Sequence, residues 1–231
     1  AYPAGVTSVW LANETHDVEV PDPDPFGGSR LRFQNWSDGG ARTHTVFVGM
    51  SDLTITAYFS LQHPADLTLV GLTPNNSVNV TFRQGTPSRA APHAAWSDWV
   101  DDGSELAVDD FIPGIPGERF LTRDERRWTV SAPLSETVRY DHQYVATIRL
   151  VGLLDNEVGL DFHSFGGTDR ANVSDLWSAW VDAGRQVRVD AVLDLVQRER
   201  FKTFDPTQWT VDAPLDKTVG YLHQFRPHVT L

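Results

Sequence analysis

The sequence predicts an all-β protein made of tandem small modules of β-grasp or sandwich-like type, with room for one short helix per module. Three observations carry this. Blocks of sequence recur at a spacing of 81 residues, apolar residues alternate with polar ones, and Pro and Gly punctuate the chain too densely for long helices.

The repeat sets the domain organisation. Trp96-Ser-Asp-Trp99-Val-Asp-Asp-Gly103 returns as Trp177-Ser-Ala-Trp180-Val-Asp-Ala-Gly184. Glu118-Arg-Phe120 returns as Glu199-Arg-Phe201, and Trp128-Thr-Val-Ser-Ala-Pro-Leu134 as Trp209-Thr-Val-Asp-Ala-Pro-Leu215. Tyr140-Asp-His-Gln143-Tyr144 returns as Tyr221-Leu-His-Gln224-Phe225, and residues 65–72 match 146–153. Several blocks in one register mark a duplication. A shortened, diverged copy precedes them: Trp10 matches Trp99, Arg32-Phe33 matches Arg119-Phe120, and residues 51–62 take the place of 132–143. The expected modules are therefore residues 1–64, 65–145 and 146–231, the last including the first strand of a following module.

Within each copy the period is two. Leu67 and Leu69, then Val78, Val80 and Phe82, then Trp128 and Val130, repeated as Trp209 and Val211, alternate with polar neighbours. The run from Val138 to Leu150 reads either as one long strand shared by neighbouring modules or as two strands with a tight change of direction. Residues 173–181 and 94–100 fit a short helix as well as a strand, the former with Ser174 as its cap. Gly103 and Gly184 are expected to bend the chain into the next strand.

Composition narrows the function classes. A net charge of -12 repels nucleic acid and anionic membrane surfaces, and no Lys/Arg run offsets it. The absence of cysteine removes thiolate catalysis, disulfides and Cys-ligated metals. No stretch approaches the ~20 apolar residues that span a bilayer. The start at Ala1 fits a processed chain and an excised segment equally. Residues 225–231 match 144–150, the start of a new module. That fits a piece of a longer array, and it also fits a strand donated to another subunit.

The stretch Asn35-Trp36-Ser-Asp-Gly-Gly40, with Thr54-Ile-Thr-Ala-Tyr-Phe59 downstream, resembles the β-grasp-type repeats found in tandem in Listeria and Bacteroides cell-surface proteins. The two full copies have Asp124-Glu-Arg-Arg127 or Asp205-Pro-Thr-Gln208 in place of the Trp-Ser-Asp-Gly-Gly element. The resemblance implies tandem β modules on a cell surface and brings no catalytic residue.

Candidate ligand contacts are Trp36, in a Gly-rich loop, and the repeated pairs Trp96/Trp99 and Trp177/Trp180. Exposed indoles beside Asp98, Asp101 or Asp182 would suit a sugar ring, whereas buried ones would be core. Trp128 and Trp209 are expected in the core. His142-Gln143 and His223-Gln224 repeat one module apart, too far to share a metal, and are expected to hydrogen-bond to a neighbouring turn. No zinc site is assigned, and no cofactor is called for. Calcium is weighed at Asp22/Asp24, Asp101/Asp102 and Asp109/Asp110, which lack the twelve-residue loop pattern and read better as solvated acidic loops. Five Asn-x-Ser/Thr acceptors, Asn13, Asn35, Asn75, Asn79 and Asn172, are candidates for N-glycosylation.

No Gly-x-Ser-x-Gly elbow or phosphate-cradling loop is present, and repeated acids such as Asp101 with Asp182 would build duplicate sites rather than one. The sequence therefore predicts a non-enzymatic structural or adhesive module of an extracellular, cell-surface repeat protein. Its partners would be neighbouring modules or subunits and cell-surface glycans, without nucleic acid or membrane insertion. A carbohydrate-binding accessory region of a secreted enzyme and a filament subunit joined by strand donation are the alternatives.

Overall fold

The computed structural model describes Trp10, residues 12–195 and residues 199–225. The first copy contains β1 (Glu14–Glu19), β2 (Asp24–Phe26), β3 (Ser29–Trp36), β4 (Thr43–Val48) and the long β5 (Ala57–Val70). The middle copy adds β6 (Val80–Gln84), β7 (Thr86–Ala90), β8 (Ala95–Asp101), β9 (Ser104–Val108), β10 (Phe111–Pro113), β11 (Glu118–Thr122), β12 (Arg127–Val130) and the long β13 (Leu134–Val151). The last copy holds β14 (Val158–Ser164), β15 (Gly167–Val173), β16 (Leu176–Asp182), β17 (Gln186–Val189), β18 (Val192–Asp194), β19 (Glu199–Thr203), β20 (Gln208–Thr210) and β21 (Leu215–Phe225). Every element among the described residues is a strand. The helix allowed for at residues 94–100 and 173–181 is corrected to β8 and β16, because each pairs over seven residues with a long strand.

The long strands organise the molecule. The first half of β13, Leu134 to Arg139, runs parallel to β5 from Ala65 to Val70, and its second half, Ala146 to Val151, runs parallel to β21 from Leu215 to Gly220. Antiparallel partners fill the remaining edges: β11 lies against Tyr140 to Tyr144 and β16 against Gln143 to Arg149. β5 repeats this arrangement with β3 and β8, and β21 with β19. Among the described residues the result is one 11-stranded sheet. Two four-stranded sheets, β12-β9-β6-β7 and β15-β14-β17-β20, stand apart from it, as does the β1-β4 pair. Of the two readings of Val138 to Leu150, the single shared strand is the one observed. The limits expected after residues 64 and 145 thus fall inside β5 and β13.

Two hydrophobic clusters follow the same repetition. One gathers Leu67 and Leu69 of β5, Val100, Phe120, Val138 and Tyr140 from the large sheet, with Val80, Leu106, Trp128 and Val130 from a four-stranded sheet. The other gathers Ile148 and Leu150 of β13, Val181, Phe201, Val219 and Tyr221, with Leu160, Val187, Val189 and Val211. Even-numbered residues of β13 enter both clusters, so one face of one strand serves two cores. Trp128 is buried, as expected, and Trp209 is partly buried against the second cluster.

Smaller devices also recur. The N–H groups of Asn13, Gly103 and Gly184 donate to the carbonyls of Val48, Val130 and Val211 at 2.7, 2.8 and 2.9 Å. All three residues have positive φ, where Asn is the non-glycine residue best tolerated. This turn leads from β8 into β9 and from β16 into β17. The Tyr140 and Tyr221 hydroxyls donate to the carbonyls of Asp109 and Asp190, each at 2.5 Å. Burial, with Asp190 adding to it, pushes the Tyr221 hydroxyl up to about 12. The Thr122 and Thr203 hydroxyls accept from the N–H groups of Asp124 and Asp205, whose carboxylates accept from Arg139 N and Gly220 N. These two acids occupy the positions where the full copies lack the Trp-Ser-Asp-Gly-Gly element.

The structure also resets the alignment of the first copy. Arg30 sits opposite Gln62 on β5, just as Arg119 sits opposite Gln143 and Arg200 opposite Gln224. Arg30-Leu31, not Arg32-Phe33, is therefore the counterpart of Arg119-Phe120. Leu31 is buried like Phe120 and Phe201.

Gly152 is tightly constrained, because a Cβ there would lie 2.3 Å from the Tyr221 carbonyl oxygen at φ +89. Gly152→Ala is expected to lower stability by about 3 kcal/mol in denaturant titrations. Gly166→Ala, also at positive φ but with no atom within 4 Å, is expected to cost about 1 kcal/mol.

Candidate functional site

The polar groups that repeat in the sequence meet where one module joins the next. At the middle-to-last junction, the Gln143 side chain on β13 is 0% exposed. Arg119 of β11 donates to its Oε1 from Nε at 2.9 Å and from an Nη at 2.7 Å. Gln143 Nε2 donates to Asp182 Oδ1 of β16 at 2.9 Å. Asp182 also accepts from the N–H groups of Phe165 and Gly166, at 2.8 and 2.6 Å. The Arg119 guanidinium then lies 4.3 Å over the ring of Trp180. Arginine, glutamine, aspartate and tryptophan thus form a single chain of contacts from the middle module into the last.

The first-to-middle junction has the same parts. Arg30 Nε donates to Gln62 Oε1 at 2.8 Å, Gln62 Nε2 donates to Asp101 Oδ1 at 2.8 Å, and Asp101 Oδ2 accepts from Gly85 N at 2.7 Å. Arg30 lies 4.5 Å over Trp99. Gln62, like Gln143, is 0% exposed. The local reason is strand parity. On β8, Trp96, Asp98 and Val100 alternate with Ser97, Trp99 and Asp101, so Val100 enters the core while Trp99 and Asp101 take the opposite face. β16 repeats this with Trp177 and Val181 inward and Trp180 and Asp182 outward.

The candidate tryptophans divide accordingly. Trp96 packs on Phe82 at 4.8 Å and Trp177 on Phe162 at 4.9 Å, both on the core side. Trp99 and Trp180 are partly buried beneath arginines. Trp36 is corrected from an exposed loop contact to a buried residue, 7% exposed. It ends β3, packs on Phe33 and His44, and donates from its indole N–H to the Arg42 carbonyl at 3.1 Å.

A histidine and acid pair flanks the second tie and recurs on β19 and β21. His142 shares a hydrogen bond between Nε2 and Glu118 Oε1 at 2.7 Å and stacks on Phe120 at 4.3 Å, while the Tyr144 hydroxyl donates to the same oxygen at 3.1 Å. His223 and Glu199 repeat the contact at 3.2 Å, and His223 stacks on Phe201 at 4.5 Å. Burial alone would raise the Glu118 carboxyl, but the Ile115 N–H, His142 and the Tyr144 hydroxyl outweigh it and hold the group below its ordinary 4.5. Asp141 is held above the usual carboxylate range by burial and by Asp182.

The first copy fills this station differently. Ser29, at the place of Glu118, shares a 2.7 Å hydrogen bond with His63 Nδ1, and His63 Nε2 meets Asp102 Oδ1 at 2.9 Å. These are the residue types of a serine triad. Ser29 is only 7% exposed, and a nucleophile must reach its substrate. Ser29 and His63 sit beside the Arg30–Gln62 pair on β3 and β5, and the line ties these strands to the β8–β9 turn.

Among the described residues there is no cluster of three or more His, Cys, Asp or Glu that could hold a metal ion. Five of the acids weighed for calcium have protein partners: Asp22 accepts from Phe33 N, Asp101 and Asp102 serve the first junction, Asp109 accepts from Asn79 Nδ2 at 2.6 Å, and Asp110 pairs with Arg126 at 3.4 Å. All five acceptor asparagines, Asn13, Asn35, Asn75, Asn79 and Asn172, are exposed.

The sequence pointed to Asp182, His142 and Gln143 by repetition but not to Arg119 as the cation between glutamine and indole. The repeated Glu-Arg-Phe block was its signal. Phe165 had none. At φ 53 it heads the β14–β15 hairpin, 3.3 Å from the guanidinium carbon of Arg123, where the middle copy has the Gly85 turn.

No protein-family model matches the chain, and no curated protein is significantly similar to it. Among solved structures, a leucine-rich repeat protein from Bacteroides thetaiotaomicron is similar over 69% of this chain and 26% of its own, at 11% identity and a TM-score of 0.23. A likeness at that level carries no argument about fold or role.

Gln143→Ala leaves Arg119 and Asp182 without their shared partner and is expected to lower stability by about 2–3 kcal/mol in denaturant titrations. The stability contributed by Glu118 is expected to be complete above its ordinary 4.5 and to fade as pH falls through the lower folded value. Thermal melts across that range should show a smaller acid loss in Glu118→Gln than in the parent chain.

Proposed function

We propose that this chain is a non-enzymatic structural or adhesive part of an extracellular, cell-surface repeat protein, built from β-grasp or sandwich-like modules at residues 1–64, 65–145 and 146–231. The observation that carries the reading is the tie Arg30–Gln62–Asp101–Trp99, built again as Arg119–Gln143–Asp182–Trp180. Charged and aromatic groups of the kind that bind ligands are here engaged in holding one module to the next. A protein that repeats its junctions rather than a pocket is suited to spanning distance or presenting surfaces. The five exposed Asn-x-Ser/Thr acceptors fit an exterior location. A carbohydrate-binding role finds less support, since Trp96 and Trp177 face the core and Trp99 and Trp180 lie under guanidinium groups.

Antibodies against the folded chain are expected to label intact cells of the source organism as strongly as permeabilised ones. Labelling that appears only after permeabilisation would overturn the reading.

A further inference from the structure

Resting on that modular reading, we propose that the outer face of β19 and β21 is a docking site for another repeat of this kind, one whose leading antiparallel strand carries a Trp-Val-Asp sequence. This face continues the pattern of two junctions already built. Arg200 Nε donates to Gln224 Oε1 at 2.9 Å, the same contact that Arg30 makes with Gln62 and Arg119 with Gln143. The accompanying Glu199–His223 pair is also in place. The other half of the junction is missing: among the described residues, no carboxylate meets Gln224 Nε2 and no indole lies beneath Arg200.

Exposure follows the same division. Gln62 and Gln143 are 0% exposed, whereas Gln224 is partly exposed. Around it Leu222, Phe225 and Phe204 are 59%, 64% and 69% exposed. Their counterparts at the previous junction are Asp141, Tyr144 and Arg123. Phe204 and Leu222 also line a shallow recess with Val151, Gly152, Asp205 and Tyr221. A docking strand must therefore bring a carboxylate for the Gln224 amide and an aromatic face for the Arg200 cation, with apolar surface around them. Trp99-Val-Asp101 and Trp180-Val-Asp182 supply this set at the two finished junctions, by antiparallel strand addition. The N-terminal segment Trp10-Leu-Ala12, which runs into the matching turn at Asn13, has no aspartate, so a second copy of this chain docking end to end lacks the carboxylate.

The test is a lengthened chain, residues 1–224 followed by residues 144–231, which places Trp180-Val-Asp182 of the added copy in register with Gln224. Calorimetric melts should show Gln224→Ala lowering the midpoint of the lengthened chain by about 5 °C, as Gln143→Ala does in the parent, and moving the parent by less than ~1 °C. Equal small shifts in both chains would overturn the proposal. A second measurement stands if the added copy does not fold. A labelled peptide of residues 174–184 should bind the parent chain by fluorescence anisotropy, and at least ~10-fold more weakly after Asp182→Asn in the peptide or Gln224→Ala in the chain. Binding that ignores both changes would overturn it. Self-association of the parent, abolished by Gln224→Ala in light scattering, would assign the face to a second copy instead. Cell labelling is blind to all of these results, so the two readings fail separately.

Discussion

A strand shared by two modules has to carry backbone and side chains through the place where both modules press on it, and any polar atom buried there needs partners. An amide buried without them costs about 1–3 kcal/mol. Gln62 and Gln143 stand at that place on β5 and β13, completely buried, and each spends its carbonyl on an arginine from one side and its amine on an aspartate from the other. The asymmetry of the amide sets the direction of the junction. The acceptor end must face the cation of the preceding module, and the donor end the anion of the following one.

From this constraint the neighbouring geometry follows. The aspartate that receives the amide also receives backbone N–H groups from a hairpin tip, at Gly85 in one junction and at Phe165 and Gly166 in the other. The arginine that donates to the amide also lies over an indole, its guanidinium carbon 4.5 Å from the ring centroid at the first junction and 4.3 Å at the second. A planar guanidinium can bond at its edge and stack on its face at once, which an ammonium cannot. Because β13 contributes one face to both hydrophobic clusters, neither module can lose its share of the strand without opening the other. Coupling between modules is therefore carried by packing as well as by the polar tie.

The flanking station shows how much chemistry the same backbone tolerates. Glu118 with His142 and Tyr144, repeated by Glu199 with His223, and Ser29 with His63 and Asp102 hold equivalent strands by two different side-chain sets. What persists is a histidine or its neighbour bridged to a group on the preceding strand. Similarity to a catalytic arrangement in the first copy thus arises from cross-strand proximity at a junction, with the hydroxyl turned inside.

The sequence by itself determined the strand-based architecture, the 81-residue repetition and the residues that recur, because alternation and duplication are written in residue order. It left residues 94–100 and 173–181 open, since two tryptophans three apart satisfy a helical face as well as a strand that sends Trp96 inward and Trp99 outward. It matched Arg32-Phe33 where Arg30-Leu31 belongs: a two-residue slip keeps every side chain on its face, so alternation cannot detect it, and only the pairing of Arg30 with Gln62 does. Trp36 is a candidate for exposed contact in sequence because turn residues follow it, yet it ends β3 and packs inward. The tertiary structure alone decided that Arg119, Gln143, Asp182 and Trp180 form one contact chain. Those residues lie on three strands up to 63 positions apart, and only the antiparallel pairing of β11 and β16 with β13 brings them together.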